Sequence, residues 1–148
     1  MTGQGAAVVL DASALLAYAL GEAGRSVVED ALTAGAIMSA VNYAEALSRL
    51  VAADADIGTV AQMLSSFGLG GYLLAFVPFG PSDAVAAARL RAPTRALGLS
   101  LGDRACLAVA LRFGTAALTA DRAWYNDYQA KTDRRIPLVR LPETRPAD

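Results

Sequence analysis

The sequence predicts one α/β domain, a parallel sheet covered by helices on both faces. Short apolar runs alternate along the chain with stretches at helical period. The runs are continuously apolar, not alternating, as strands buried on both faces require. No internal repeat, linker or low-complexity stretch divides the 148 residues, a length that suits a single domain over 1–148 and buries roughly two-thirds of the unfolded surface.

Val8–Leu10 reads as a buried strand ending on Asp11, and residues 12–20 continue as an apolar helix loosened by Gly21 and Gly24. Residues 25–32 repeat at an amphipathic helical period that stops at Gly35. Ala36–Ser39 is a short strand. Residues 41–53 form a helix of good formers carrying Glu45, and residues 57–67 form another, closed by Gly68, Gly70 and Gly71. Residues 72–77 are an apolar strand ended by Pro78. Pro81 opens a helix through Arg91 that Pro93 should end or kink. Leu101–Phe113 is a strongly apolar helix stopped by Gly114, and residues 115–119 are a buried strand. A short helix over 121–128 and a strand over 136–141 follow; Pro137 suits that last strand to a sheet edge. The termini, 1–5 and 142–148, are expected to fray.

Composition narrows the chemistry. The chain is 55% hydrophobic and 18% charged, yet no apolar run approaches the ~20 residues of a membrane span. The first residues carry no basic region, and the single Cys106 cannot form an internal disulfide, so a reduced, cytoplasmic protein is the expectation. The absence of histidine excludes His-based triads, histidine general bases and histidine-containing zinc sites. One lysine, Lys131, and no GxxxxGK stretch exclude the phosphate-cradling loop of nucleoside triphosphatases. A net charge of −1 gives no global attraction to nucleic acid and leaves a local patch open.

Carboxylates remain. In open α/β sheets ligands bind beyond the carboxyl ends of the strands. Asp11 and Asp121 follow two of the predicted strands there, Asp103 begins the helix before the second of them, and Glu45 lies in the helix after Ala36–Ser39. Singly, each has a plain explanation. Asp11 and Asp121 are helix caps, Ser100 and Asp103 make a capping box, and Glu45 pairs with Arg49 four residues on. Together they suggest more. Asn42, Glu45 and Arg49 form a polar stripe that can face the aspartates, and gathered carboxylates must take up protons unless a cation intervenes. Hard cations such as Mg²⁺ or Mn²⁺ favour such oxygen ligands, and metal-assisted phosphodiester hydrolysis with one or two ions is the matching chemistry.

The succession VVLDASALLAYAL, NYAEALSRL, LSLGDRACLAVAL and LTADRAW resembles the PIN-domain ribonucleases, most closely the VapC toxins of toxin–antitoxin modules. The resemblance runs from Val8 to about Leu141 and implies a PIN-like three-layer α/β/α domain. It carries the family's acidic quartet onto Asp11, Glu45, Asp103 and Asp121, none of them substituted, and its accompanying hydroxyls onto Ser13 and Thr119. It implies an endoribonuclease that uses Mg²⁺ or Mn²⁺ and leaves 5′-phosphate and 3′-hydroxyl ends. Asp11 and Asp103 would be direct ligands, Glu45 and Asp121 ligands directly or through water, and Ser13, Asn42 and Thr119 orienting groups. A cognate antitoxin and a homodimer are further implications.

Arg104 and Arg122, each directly after a quartet acid, are the RNA-contact candidates. The other arginines (Arg89, Arg91, Arg95, Arg112, Arg134 and Arg135) suit a solvated surface as readily as a phosphate track. Trp124 and Tyr125 either stack on a base or pack the short helix. Two rivals stay open. One is an aspartyl-phosphate phosphohydrolase, although Ser13 stands where such enzymes usually carry a second acid. The other is a non-catalytic interaction domain whose acids only cap helices.

Overall fold

The computed structural model describes residues 8–67 and 71–120 and the backbone of residues 138–140. Its elements are β1 (Val8–Leu10), α1 (Ala12–Ala19), α2 (Arg25–Ala34), β2 (Ala36–Ser39), α3 (Ala40–Ala52) and α4 (Ile57–Ser65). They continue with β3 (Leu74–Val77), α5 (Pro81–Arg89), α6 (Arg91–Thr94), α7 (Leu101–Phe113), β4 (Ala117–Thr119) and β5 (Leu138–Arg140). The predicted helix over 121–128 and both termini lie outside the described residues.

The five strands form one sheet in the order β3-β2-β1-β4-β5, every pairing parallel. β5 lies at an edge, as expected for the last strand. The continuous apolar runs of β1, β2 and β4 have the predicted cause, because both faces are covered there, while Ala75 and Phe76 of the edge strand β3 are exposed. Leu10, Met38 and Leu118 face one apolar cluster with Leu15, Leu32 and Leu50 from α1, α2 and α3. Val9 and Ala117 face the other, with Leu90, Leu107 and Val109. The helix α1, apolar nearly all round, is buried inside the domain: Ala14 and Leu15 are fully inaccessible, and Tyr18 packs edge-on against Phe67 and Tyr72. No helix among the described residues is long and apolar enough to cross a membrane.

Three boundaries differ from the sequence pattern. β3 starts at Leu74, not Tyr72, because the Tyr72 ring is drawn into the aromatic cluster with Tyr18 and Phe67. β4 starts at Ala117, since the Thr115 N–H is used to close α7 on the Ala110 carbonyl. The helix expected to reach Arg91 breaks at buried Leu90, ahead of Pro93. The proline falls in the first turn of the four-residue α6, where its missing N–H leaves nothing unpaired, and the buried Thr94 hydroxyl donates back to the Leu90 carbonyl. α7 ends as predicted: Gly114 adopts the left-handed conformation, φ 61°, that closes the helix on its last carbonyls.

The sheet order reverses between β1 and β4, which lie side by side although most of the chain separates them. Such a switch point opens a crevice at the carboxyl ends of the two strands. Asp11 and Thr119 stand there.

Candidate active site

Asp11 leaves β1 extended, with φ −87° and ψ 179°, and caps α1. Its Oδ1 accepts from the Ala14 N–H at 2.9 Å and the Ser13 hydroxyl at 2.6 Å, and its Oδ2 accepts from the Thr119 hydroxyl. Ser13 Oγ in turn accepts from the Ala120 N–H at 3.0 Å, tying the exit of β4 to that of β1. The carboxyl is only 4% exposed. Burial pushes its pKa up to about 6; the bonds from Ser13, Thr119 and Ala14 pull the other way, and the charge of Asp103 adds to the rise. A simple cap belongs at the surface. This one is held by three donors in a buried place that penalises its charge.

The second acid arrives on α3. Ser39 caps that helix, and its polar stripe turns toward the first turn of α7. The buried Asn42 donates through Nδ2 to the Gly102 carbonyl at 2.9 Å, which fixes the amide, since a carbonyl can only accept. Asn42 Oδ1 is then a buried acceptor without a donor among the described residues. Glu45 Oε1 accepts from the Arg49 guanidinium at 2.8 Å, while its Oε2 lies where a side chain on Gly102 would collide with it. Gly102 thus admits Glu45 to the start of α7. The sequence reading missed it; the available signal was a glycine in the first turn of a helix otherwise built of good formers.

The third acid, Asp103, forms the predicted capping box. Its Oδ2 accepts from the Ser100 N–H at 2.9 Å, and Ser100 Oγ accepts from the Asp103 N–H at 3.1 Å. Asp11, Ser13, Asn42, Glu45, Arg49 and Asp103 line one pocket of about 220 Å³. Beneath it the buried Cys106 thiol is pushed well up, by burial first and then by the charges of Asp11, Asp103 and Glu45, so it stays protonated.

The donors fit a hard cation in kind. They are carboxylate and amide oxygens, and both the orphaned Asn42 Oδ1 and the desolvated Asp11 carboxyl would gain from a positive charge. They are not a preformed cage, because among the described residues no three acids stand close enough together to share an ion. One oxygen of Glu45 is committed to Arg49 and one of Asp103 to Ser100. Their second oxygens carry no hydrogen bond among the described residues.

The model of the PIN domain family matches residues 8–128 of the chain. This chain belongs to the PIN domain family. PIN domains are in general nucleases and typically use divalent metals. No curated protein matches the chain significantly. Solved structures share the fold. A chain of a toxin–antitoxin complex from Klebsiella pneumoniae is 17% identical, with a TM-score of 0.58 over 81% of this chain and 92% of that one. A chain of VapBC2 from Rickettsia felis, bound to a DNA fragment from their promoter, is 14% identical, with a TM-score of 0.60 over 91% and 98%. One of FitAcB from Neisseria gonorrhoeae is 17% identical, with a TM-score of 0.56 over 88% and 95%.

Within this PIN domain, Asp11, Glu45 and Asp103 of the predicted acidic set come together in the pocket, with Ser13, Asn42 and Thr119 placed around them. Asp121, Arg122, Trp124 and Tyr125 lie outside the described residues. Arg104 is not in the pocket lining. One position beyond Asp103 it points elsewhere on α7, donating to the Ala87 carbonyl of α5 at 3.0 Å. Arg112 is also engaged, bound to the buried Asp83 carboxylate at 3.1 Å.

Proposed function

We infer that this PIN domain is a Mg²⁺- or Mn²⁺-dependent endoribonuclease and the toxin of a toxin–antitoxin pair. The observation that carries the reading is the buried, three-donor Asp11 sharing one pocket with Glu45 and Asp103 at the switch point of the sheet. A set of mere caps needs neither that burial nor that convergence. Likeness of fold to chains of toxin–antitoxin complexes supports the toxin role and, with it, a cognate antitoxin partner; a homodimer and a cytoplasmic site of action belong to the same proposal.

Asp11 and Asp103 are assigned as the direct metal ligands, with Glu45 and Asp121 direct or through water. When bound, the cation supplies Lewis acidity, neutralising charge on the phosphodiester and easing deprotonation of an attacking water. The protein's own part is positional. Ser13 and Thr119 fix the two Asp11 oxygens, and the three donors leave one acceptor site open, on Oδ2. Asn42 holds α3 to α7, and its buried Oδ1, without a donor among the described residues, is assigned to orient an acid or a water. Gly102 leaves the space that Glu45 occupies. Arg122 is the RNA-contact candidate that stays, since Arg104 is engaged by α5. The aspartyl-phosphate alternative is disfavoured, because Ser13, which stands where such enzymes usually carry a second acid, spends its hydroxyl on Asp11 Oδ1.

The test is cleavage of end-labelled single-stranded RNA by the purified chain. Cutting in Mn²⁺ that stops in EDTA and leaves 5′-phosphate and 3′-hydroxyl ends is the expected result. Cutting that persists in EDTA, or cyclic-phosphate ends, would assign the chemistry to another mechanism. No cutting under any metal would favour the non-catalytic rival.

A further inference from the structure

Arg49 is the one cationic side chain lining the acidic pocket among the described residues. By sequence it is an (i, i+4) partner of Glu45 and part of the polar stripe that can face the aspartates. In the fold the same pair faces Asp11 and Asp103. Its guanidinium sits 2.8 Å from Glu45 Oε1, with the arginine side chain 55% exposed and the glutamate 30%. The two carboxylate oxygens of Glu45 therefore have different neighbours: Oε1 is held by Arg49, and Oε2 rests against Gly102 at the start of α7.

Two consequences follow from charge and reach. A cation that takes Glu45 as a ligand competes with Arg49 for one carboxylate, and two positive charges at one oxygen repel each other. An arginine more than half exposed, on a long flexible stem, can leave such a pair at small cost. Once displaced it stays at the rim of the pocket, anchored on α3. There the planar fork of the guanidinium suits the other anion that reaches this place, a phosphate of bound RNA.

We propose that Arg49 is an exchangeable counter-ion: it neutralises Glu45 while the pocket lacks a divalent ion, and it passes to an RNA phosphate when the ion takes Glu45. The proposal rests on the nuclease reading and adds a positioning residue to it. Arg49 acts on the acid and on the substrate, and does no proton transfer of its own.

The consequence is a pair of effects of opposite sign from one substitution. Arg49→Ala should tighten binding of Mn²⁺ alone, followed by calorimetry without RNA, by about two- to fivefold, the size of a surface ion pair. The same variant, at saturating Mn²⁺, should raise KM for a short single-stranded oligoribonucleotide by about tenfold while kcat changes far less. Arg49→Lys, which keeps the charge without the planar fork, should recover only part of the KM. In a Glu45→Gln background the substitution should no longer tighten Mn²⁺ binding, because the competed charge is gone. Unchanged or weaker Mn²⁺ binding by Arg49→Ala, or an unchanged KM, would overturn the exchange while leaving the nuclease reading intact. A wild-type chain that neither binds Mn²⁺ nor cleaves RNA would remove both.

Discussion

Replacing Asp11 by Asn should make the protein more stable at neutral pH while removing its activity. The amide keeps the shape and the cap, since Oδ1 can still accept from Ala14 and Ser13 and the Thr119 hydroxyl can turn to accept. It removes a charge that the fold holds in a buried place. The folded chain binds the Asp11 proton more tightly than the unfolded chain does, with a pKa of about 6 against an ordinary 3.8. Stability from this group is therefore full below about pH 3.8 and is lost as pH rises through about 6. Above that the ionised carboxylate weighs against folding by at most about 3 kcal/mol, at about 1.4 kcal/mol per pH unit between the two values. Denaturant unfolding should show Asp11→Asn gaining about 1–3 kcal/mol over wild type at pH 7.5 and no more than about 0.5 kcal/mol at pH 4. Metal-dependent RNA cleavage should fall by on the order of 10²–10³-fold. Equal stabilities at both pH values would mean that Asp11 is not held against its charge, and the main sign of a functional carboxylate would be gone.

Gly102→Ala should cost activity without unfolding the chain, although the residue offers no chemical group. A methyl there meets Glu45 Oε2 and pushes the carboxylate out of place. Displacing a supporting contact of a metal site commonly costs about 10–100-fold, and that is the expected fall in cleavage. In stability the change should be small, within about 1 kcal/mol, because alanine favours the helix over glycine by a similar amount. The two contributions separate in a Glu45→Ala background, where the methyl finds room and only the helix preference is left. There Gly102→Ala should stabilise the chain. Should it destabilise both backgrounds equally, Glu45 is not what the glycine accommodates.

The fold was legible because its signals are local. Strands buried on both faces must be continuously apolar, and Val8–Leu10 and Ala36–Ser39 are. The αL glycine that stops α7 and the Ser100–Asp103 box that starts it are likewise written within a few residues of the helix ends. The break at Leu90 was not legible, since what places it is burial of Leu90 and Thr94, a tertiary matter. The site divides along the same line. Asp11, Glu45 and Asp103 were visible as acids at suitable places, and their capping and pairing roles are real alongside their convergence. Gly102 matters only because Asn42 and Glu45 come from another helix, some sixty residues earlier in sequence. Arg49 was legible in two ways, as half of an (i, i+4) pair and as part of the stripe with Asn42 and Glu45 that can face the aspartates; the fold puts it in the lining of the Asp11 pocket. Arg104 looked close to the chemistry because it follows Asp103, but one residue along a helix turns a side chain about 100° away.

The most direct measurement is a Mn²⁺ titration of the EDTA-treated, metal-depleted chain, with thermal stability and RNA cleavage followed on the same preparation. If the pocket acids hold the ion that supports cutting, both signals rise together with one midpoint, and Asp11→Asn and Asp103→Asn lose both. Cleavage at full rate before any Mn²⁺ is added, or a Mn²⁺-dependent rise in stability and cleavage that survives in both variants, would contradict a metal-dependent nuclease centred on Asp11.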